Sequence, residues 1–271
     1  MFFLSICAIF KNESVALGEW LQHYIDEGVE HFYLIDNGST DNYQSIIKKF
    51  ESYITLFIDD RKHAQTQHYN YYVLQLAKKQ TDWLMIVDLD EFVYSRNGYT
   101  KITDYLKTLP DKIGKIGIFW KLYGSSGYIN QPDNIIHNFL NRETLKFNSY
   151  KQIVRTKYLN YIDVHDMNLN IPNEEHAIST DGEQFYTNSQ FFTSEQIIDK
   201  SAKFNLHLNH YAIQSYNWFR DVKMTRGDVI SSSTDNFRND EYFKRYDTND
   251  IYDDELSQKI KTNKLKKYFN F

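Results

Sequence analysis

The chain has 271 residues, of which 41% are hydrophobic and 25% charged, and a net charge of −5. Its length suits one large domain or two small ones and is ample for a full hydrophobic core. The acidic balance (pI near 6.0) argues against a nucleic-acid binder, the single cysteine, Cys7, excludes a disulfide framework, and no stretch approaches the ~20 apolar residues of a membrane helix.

Phe2 to Phe10 is a continuous apolar run and reads as a buried strand with Cys7 inside it. It has the look of a signal core, but it lacks a basic leader and a cleavage site, and Lys11-Asn12-Glu13 follows at once. A chain that stays cytoplasmic is the expectation. Ser14 to Glu27 carries Leu17, Leu21, Tyr24 and Ile25 on one helical face and stops at Gly28. His31 to Ile35 is a second strand. Asp36-Asn37-Gly38-Ser39-Thr40-Asp41 is a turn opening a helix striped by Ile46, Ile47 and Phe50, with Ser39, Thr40 or Asp41 as its N-cap. Ile54 to Ile58 is a third strand, Gln65 to Lys79 a helix and Trp83 to Val87 a fourth strand. This alternation implies a mostly parallel sheet with helices on both faces. Neither G-x-G-x-x-G nor G-x-x-x-x-G-K-[ST] is present, so a dinucleotide fold or P-loop is not indicated.

The fourth strand runs straight into Asp88-Leu89-Asp90-Glu91. The carboxyl edge of an α/β sheet is where such sheets bind ligands. In extended backbone Asp88 and Asp90 point to one side and repel each other unless a cation bridges them. Oxygen ligands suit Mg²⁺ or Mn²⁺, which share them with phosphate. The cluster therefore suggests a metal-diphosphate site, against the plain alternative of a solvated turn. Further on, Ile102 to Leu109 is a short helix ended by Pro110, Ile116 to Trp120 and Tyr150 to Arg155 are strands, and Gly124-Ser125-Ser126-Gly127 is a loop. Residues 163 to 190 are polar and read as loops or short hairpins. Leu206 to Ala212 is a strand, Ser215 to Arg226 a helix ended by Gly227, and Asp254 to Phe271 a basic amphipathic helix.

Several segments match one pattern together. Phe10-Lys11-Asn12-Glu13, Glu19-Trp20-Leu21, Gly28-Val29-Glu30-His31-Phe32 and Asp36-Asn37-Gly38-Ser39-Thr40-Asp41 resemble the opening of family 2-like glycosyltransferases, and Val87-Asp88-Leu89-Asp90-Glu91-Phe92 resembles their D-x-D site. Trp120 with Gly124-Ser125-Ser126-Gly127, Lys151-Gln152-Ile153-Val154-Arg155, and Asn209-His210-Tyr211 followed by Ser215, Phe219, Lys223 and Arg226-Gly227 are similar to glycosyltransferase family 92 and its bacterial and viral relatives. The resemblance implies a GT-A fold: a Rossmann-like, mostly parallel sheet with helices on both faces and an irregular acceptor-side half. With few prolines and no low-complexity linker, one domain over 1–271 is expected, divided into a nucleotide-sugar-binding half (1–110), an acceptor-side half (111–235) and a helical tail (236–271).

The resemblance further implies an inverting, metal-dependent transfer of a hexose-type sugar from a nucleotide sugar, a UDP-sugar foremost, with Mn²⁺ or Mg²⁺. The acceptor would be a glycan, glycolipid or glycoprotein. By the resemblance Asp90 binds the metal. Asp88 contacts the donor's ribose or sugar, or the metal through water. Glu91 orients the loop or the sugar, and Asp36 hydrogen-bonds uracil or ribose. Lys11, Asn12 and Glu13 flank the base, and Arg61 and Gln67 contact the donor. His210 is a third metal ligand or, alternatively, a hydrogen-bonded strand histidine. Lys223 and Arg226 share a helical face and grip the diphosphate, or else form a solvated surface.

The general base is sought among Asp163, His165, Asp166, Glu175, His176, Asp181 and Glu183, with Asp181 or Glu183 preferred. Relatives carry an acidic residue in the segment matching Ile135 to Phe139, where this chain has His137. Trp120, Tyr123 and Tyr128 either stack on a sugar or fill core. Lys259, Lys261, Lys264, Lys266 and Lys267 make the tail basic, for peripheral contact with an anionic membrane or as a solvated helix end. Two rivals stand against this reading. A nucleotidyltransferase would show a glycine-rich phosphate loop near the first strand, and a non-catalytic sugar-nucleotide or glycan-binding module would not need the Asp88/Asp90 pair.

Overall fold

A computed structural model describes residues 1–145, 149–184, 192–226 and 238–269, without the side chains of 173, 174 and 264–269. Its strands are Phe2–Phe10 (β1), His31–Asp36 (β2), Ile54–Ile58 (β3), Thr81–Ile86 (β4), Glu91–Ser95 (β5), Lys115–Leu122 (β6), Asn141–Arg142 (β7), Tyr150–Arg155 (β8), Leu159–Tyr161 (β9), Asn168–Leu169 (β10), Ala177–Ser179 (β11), Leu206–His210 (β12) and Ile251–Tyr252 (β13). A 9-stranded sheet has the order β3-β2-β1-β4-β8-β6-β12-β5, with β11 beside the start of β6. β1 to β4 run parallel, and β8 is antiparallel to both β4 and β6. β6 therefore points the same way as β4, and β12 pairs parallel with it. The carboxyl ends of β1, β4, β6 and β12 thus share one edge, and the expected class, an α/β sheet of mostly parallel strands flanked by helices, is the one found.

Alternation within β1 shows why its sequence is apolar throughout. Leu4, Ile6, Ala8 and Phe10 pack against Leu17, Trp20, Leu21 and Tyr24 of the helix Ser14–Asp26. Cys7 on the opposite side packs with Tyr69, Val73 and Ala77. A strand covered on both faces has no polar side to alternate with. Its one buried hydroxyl, on Ser5, is satisfied by Thr81 at 2.9 Å.

Local departures have local causes. The turn after β2 does not cap the helix that follows, since Gln44–Ile47 starts at Tyr43 with no side-chain cap. Instead Asp41 accepts from the Ser14 N–H at 2.7 Å and Ser39 from the Asn12 N–H at 3.0 Å, so the turn secures the start of the first helix across the sheet edge. The helix expected from Gln65 is helical to Gln80 but carries a π-turn at Tyr69–Val73. β5 lies within a stretch for which no strand was expected. The helix opened by Ser215, whose hydroxyl accepts from Trp218, passes into a π-turn at Phe219–Lys223. Its expected stop, Gly227, lies outside the described residues.

Candidate active site

A cavity of about 490 Å³ opens at the shared carboxyl edge, within the usual range for small-molecule sites. The ends of β1, β4, β6 and β12 feed it. Among the expected residues, Lys11, Glu13, Arg61, Asp88, Asp90, His165, His210, Lys223 and Arg226 line it. Trp120 joins them, its ring edge-on to His210 at 4.3 Å between centroids.

The acidic cluster is held by backbone contacts. The Trp20 indole N–H is shared by the carbonyls of Asp88 and Glu91, both at 3.1 Å, and the Tyr24 hydroxyl donates to the Glu91 carbonyl at 3.0 Å. The Tyr211 N–H donates to the Asp90 carbonyl at 2.8 Å, joining the cluster to the segment after β12. Glu91 itself is fully buried and lies outside the cavity lining. Its carboxylate accepts from the Asp88 N–H at 2.9 Å, so it orders the loop from behind.

Each lining carboxylate has a cation. Lys151 on β8, with no exposed side-chain surface, lies 2.9 Å from Asp88 and 3.4 Å from Glu91. Lys223 pairs with Asp90, and Arg226 with Glu13. These pairs set the protonation states. Burial works to raise the Asp88 and Asp90 pKa values, but Lys151 at the first, and Lys223 and His210 at the second, reverse this and hold both carboxyls below the ordinary range. For Glu91 burial prevails over Lys151, and its pKa rises to about 7. Burial also raises Glu13, with Arg226 opposing. Lys151 is missing from the sequence-derived site. The signal was a lysine ahead of the apolar Ile153-Val154 pair of a strand, where a buried ammonium demands a buried countercharge.

The other expected residues sit elsewhere. Asn12, with φ 54°, turns its side chain to the Thr40 N–H at 2.7 Å. The Asp36 carboxylate accepts from Ser39 and Tyr43, both at 2.8 Å, and so shapes the turn behind the cavity. Gln67 is exposed beside Tyr71 and Tyr72 in a separate shallow depression, whereas Gln65 lines the cavity. Asp181 and Glu183 follow β11, close to the start of β12, and pair with Lys200; neither lines the cavity. His137 bonds to Ser257 at 2.7 Å, also outside the lining. Tyr123 is buried core, and Tyr128 is partly exposed outside the lining.

The chemistry of the lining bears on a divalent cation. Asp90 Oδ1 and His210 Nδ1 are buried with no hydrogen-bond partner, and His210 Nε2 is 3.6 Å from Asp90 Oδ1. Carboxylate oxygen with imidazole nitrogen is a donor set that Mn²⁺ accepts. Among the described residues no three acidic, histidine or cysteine side chains converge as a preformed metal cage. An ion that takes several ligands from water and phosphate does not need one. The residues present thus fit such an ion, which Asp90 and His210 would hold.

The family model for glycosyltransferase family 92 matches residues 1–260. A family 92 protein of Oryza sativa subsp. japonica is 22% identical over 162 residues, which is 58% of this chain and 27% of that protein. One from Ricinus communis is 24% identical over 166 residues, covering 58% of this chain and 29% of that protein. The chain therefore spans about a quarter of the length of these curated relatives. Among solved structures, S. aureus TarS 1–349 in complex with UDP is similar with TM-score 0.38 and 16% identity, over 57% of this chain and 47% of that one. Glucosyl-3-phosphoglycerate synthase from Mycobacterium tuberculosis, in complex with Mn²⁺ and UDP-glucose, is similar with TM-score 0.34 and 12% identity, over 58% of this chain and 57% of that one. With a family match that runs almost end to end and takes in the whole cavity, the chain belongs to glycosyltransferase family 92.

Proposed function

We propose that the chain is a metal-dependent, inverting glycosyltransferase of GT-A type. It moves a hexose-type sugar from a UDP-sugar to a hydroxyl of a glycan, glycolipid or glycoprotein. Family membership supports the transferase chemistry. The charge of the cavity supports the donor class: Lys11, Arg61, Lys62, Lys223, Arg226 and Arg238 line it against only Glu13, Asp88 and Asp90. A lining with such a cationic excess suits a ligand that brings its own negative charge, as a nucleoside diphosphate does.

In this reading Asp90 and His210 hold the cation, and Asp88, set by Lys151 and Glu91, faces the donor. Lys223 and Arg226 are drawn from their carboxylates towards the diphosphate, and Lys11 and Asn37 flank the nucleoside. A bound divalent ion supplies positive charge against the departing diphosphate, which develops negative charge as the glycosidic bond to it breaks.

Calorimetric titration with UDP-, GDP-, TDP- and CMP-sugars, with and without Mn²⁺, tests the reading on wild type and Asp90→Ala. Mn²⁺-dependent binding of a UDP-sugar that is lost in Asp90→Ala is the expected result. Failure of every nucleotide sugar to bind would overturn it. Metal-independent binding without turnover would instead make the chain a sugar-nucleotide-binding module.

A further inference from the structure

The reaction needs a base for the acceptor hydroxyl, and the cavity's carboxylates are poorly placed to serve. Glu13, Asp88 and Asp90 are each tied to a cation, and Asp181 and Glu183 lie outside the lining. The segment between β9 and β10 offers another group. Its Ile162, Val164 and Met167 are buried in the core, and its backbone is pinned from both sides. Asn70 bonds both the N–H and the carbonyl of Ile162, at 2.9 and 2.8 Å, and Gln152 accepts from the Met167 N–H at 2.9 Å. The chain bends at residues 164–166, and between buried Val164 and buried Met167 it leaves His165 at the surface of the segment. It is exposed, it lines the cavity, and its ring lies 6.1 Å from that of Trp120. A side chain presented from a segment fixed in this way has the rigidity that chemistry requires.

The geometry points to His165 as the catalytic base that takes the proton from the acceptor hydroxyl in the transfer proposed above, on which this inference rests. The acceptor O–H proton passes to the free ring nitrogen of His165. The acceptor oxygen bonds to the anomeric carbon, and the bond from that carbon to the diphosphate oxygen breaks, its electron pair leaving on the diphosphate. The imidazolium then returns its proton to water.

The surroundings suit that role. The Tyr150 carbonyl lies on the ring's side and favours a ring N–H directed towards it, which would leave the other nitrogen as the acceptor. Partial desolvation of the ring against the cavity wall, then the Lys151 ammonium, lower its pKa below the ordinary histidine value, while Asp88 and Asp163 act in the opposite sense. The ring is accordingly neutral, and competent as a base, at neutral pH. Trp120, between His165 and His210, offers an apolar face for the acceptor sugar.

The test compares wild type, His165→Ala and His165→Gln. It uses UDP-glucose, UDP-galactose and UDP-N-acetylglucosamine as donors, with methyl glycosides or water as acceptor, and follows UDP release. Donor binding by calorimetry should be unchanged in both variants. Turnover should fall about 100-fold or more, the usual weight of a general base. The acidic limb of the wild-type pH profile should disappear, and added imidazole should restore part of the His165→Ala rate. Turnover within about 5-fold of wild type would overturn the assignment, as would a raised acceptor KM with unchanged kcat, which would make His165 an acceptor-binding group only. Wild type that neither binds nor turns over these donors would overturn the transferase reading itself, a result readily told apart from the first two.

Discussion

Glu91 shows how much one carboxyl group can depend on its setting. It has no exposed surface, its neighbours Asp88 and Asp90 are acidic, and one oxygen, Oε1, has no hydrogen-bond partner. Burial raises its pKa to about 7 from the ordinary 4.5, although Lys151 opposes it. The consequence for stability has a definite sign. A carboxyl that binds its proton more tightly when folded stabilises the fold fully below about 4.5, and that contribution is lost as pH rises through about 7. Asp88 and Asp90, shifted downward, act in the opposite sense and below the ordinary 3.8, outside this window. His23 and His207, both held at about 4 by burial, gain stability with rising pH in the same window, so the Glu91 contribution is read as a difference: the urea-unfolding stability of wild type relative to Glu91→Gln should fall by on the order of 3 kcal/mol between pH 4.5 and pH 7. Parallel pH profiles for the two proteins would show that Glu91 is already ionised throughout. Lys151 is the complementary case. Lys151→Met strips Asp88 and Glu91 of their buried countercharge, and a loss of about 3–5 kcal/mol is expected in the same assay at pH 8.

At the scale of elements, what the sequence made legible follows from how local its causes are. β1 and β3 begin and end where the apolar runs do, because each run is bounded by polar residues or turns. β5 escaped notice because Glu91-Phe92-Val93-Tyr94-Ser95 is buried at every position and shows no period of two. Its partner β12 is also more than a hundred residues further along the chain. Asp88 and Asp90 were legible as site residues from their place at a strand end. Lys151 was not, and His165 stood only as one of seven general-base candidates with no reason to single it out, because what they face is decided by sheet order and not by neighbours in sequence. The Asp181 and Glu183 expectation had only acidic composition behind it, and β11 carries both away from the lining. Gly28 was legible as a helix stop, and the structure adds a second demand on it. Its φ is +93°, and a Cβ there would lie 2.4 Å from Thr103 Oγ1. Gly98 has a nearly identical φ of +92° with nothing within 4 Å. Gly98→Ala should cost about 1–2 kcal/mol from backbone conformation alone, and Gly28→Ala measurably more. Thermal melts of the two variants isolate the packing contribution, and equal costs would mean that Thr103 simply turns away.

Across the whole molecule, the last segment closes on the core instead of projecting from it. β13 pairs with β7, Leu256 is buried, and Ile260 packs against the main cluster. Lys259, expected as part of a basic tail, pairs with Glu27 and donates to the Ser95 carbonyl at 2.8 Å, so it is not available to a membrane surface. Asp253 and Glu255 reach inward to Lys121, each at 3.0 Å. That lysine lies on β6 immediately after Trp120, so the tail is coupled to a strand that builds the cavity. Arg142 also holds Asp253, while Arg96 and His207 hold Glu255. Lys121 is nearly buried, and its charge is tolerable only while these carboxylates face it. A buried ion pair adds little over an apolar pair of the same shape, yet breaking it from one side is costly. Asp253→Asn with Glu255→Gln should thus lose about 3–5 kcal/mol in urea unfolding. Adding Lys121→Met to that double variant should recover a substantial part of the loss, since no charge is then stranded on β6. A triple variant no more stable than the double would place the cost in the lost hydrogen bonds of Arg142 and Arg96 instead, and Lys121 would not be what fastens the tail to the sheet.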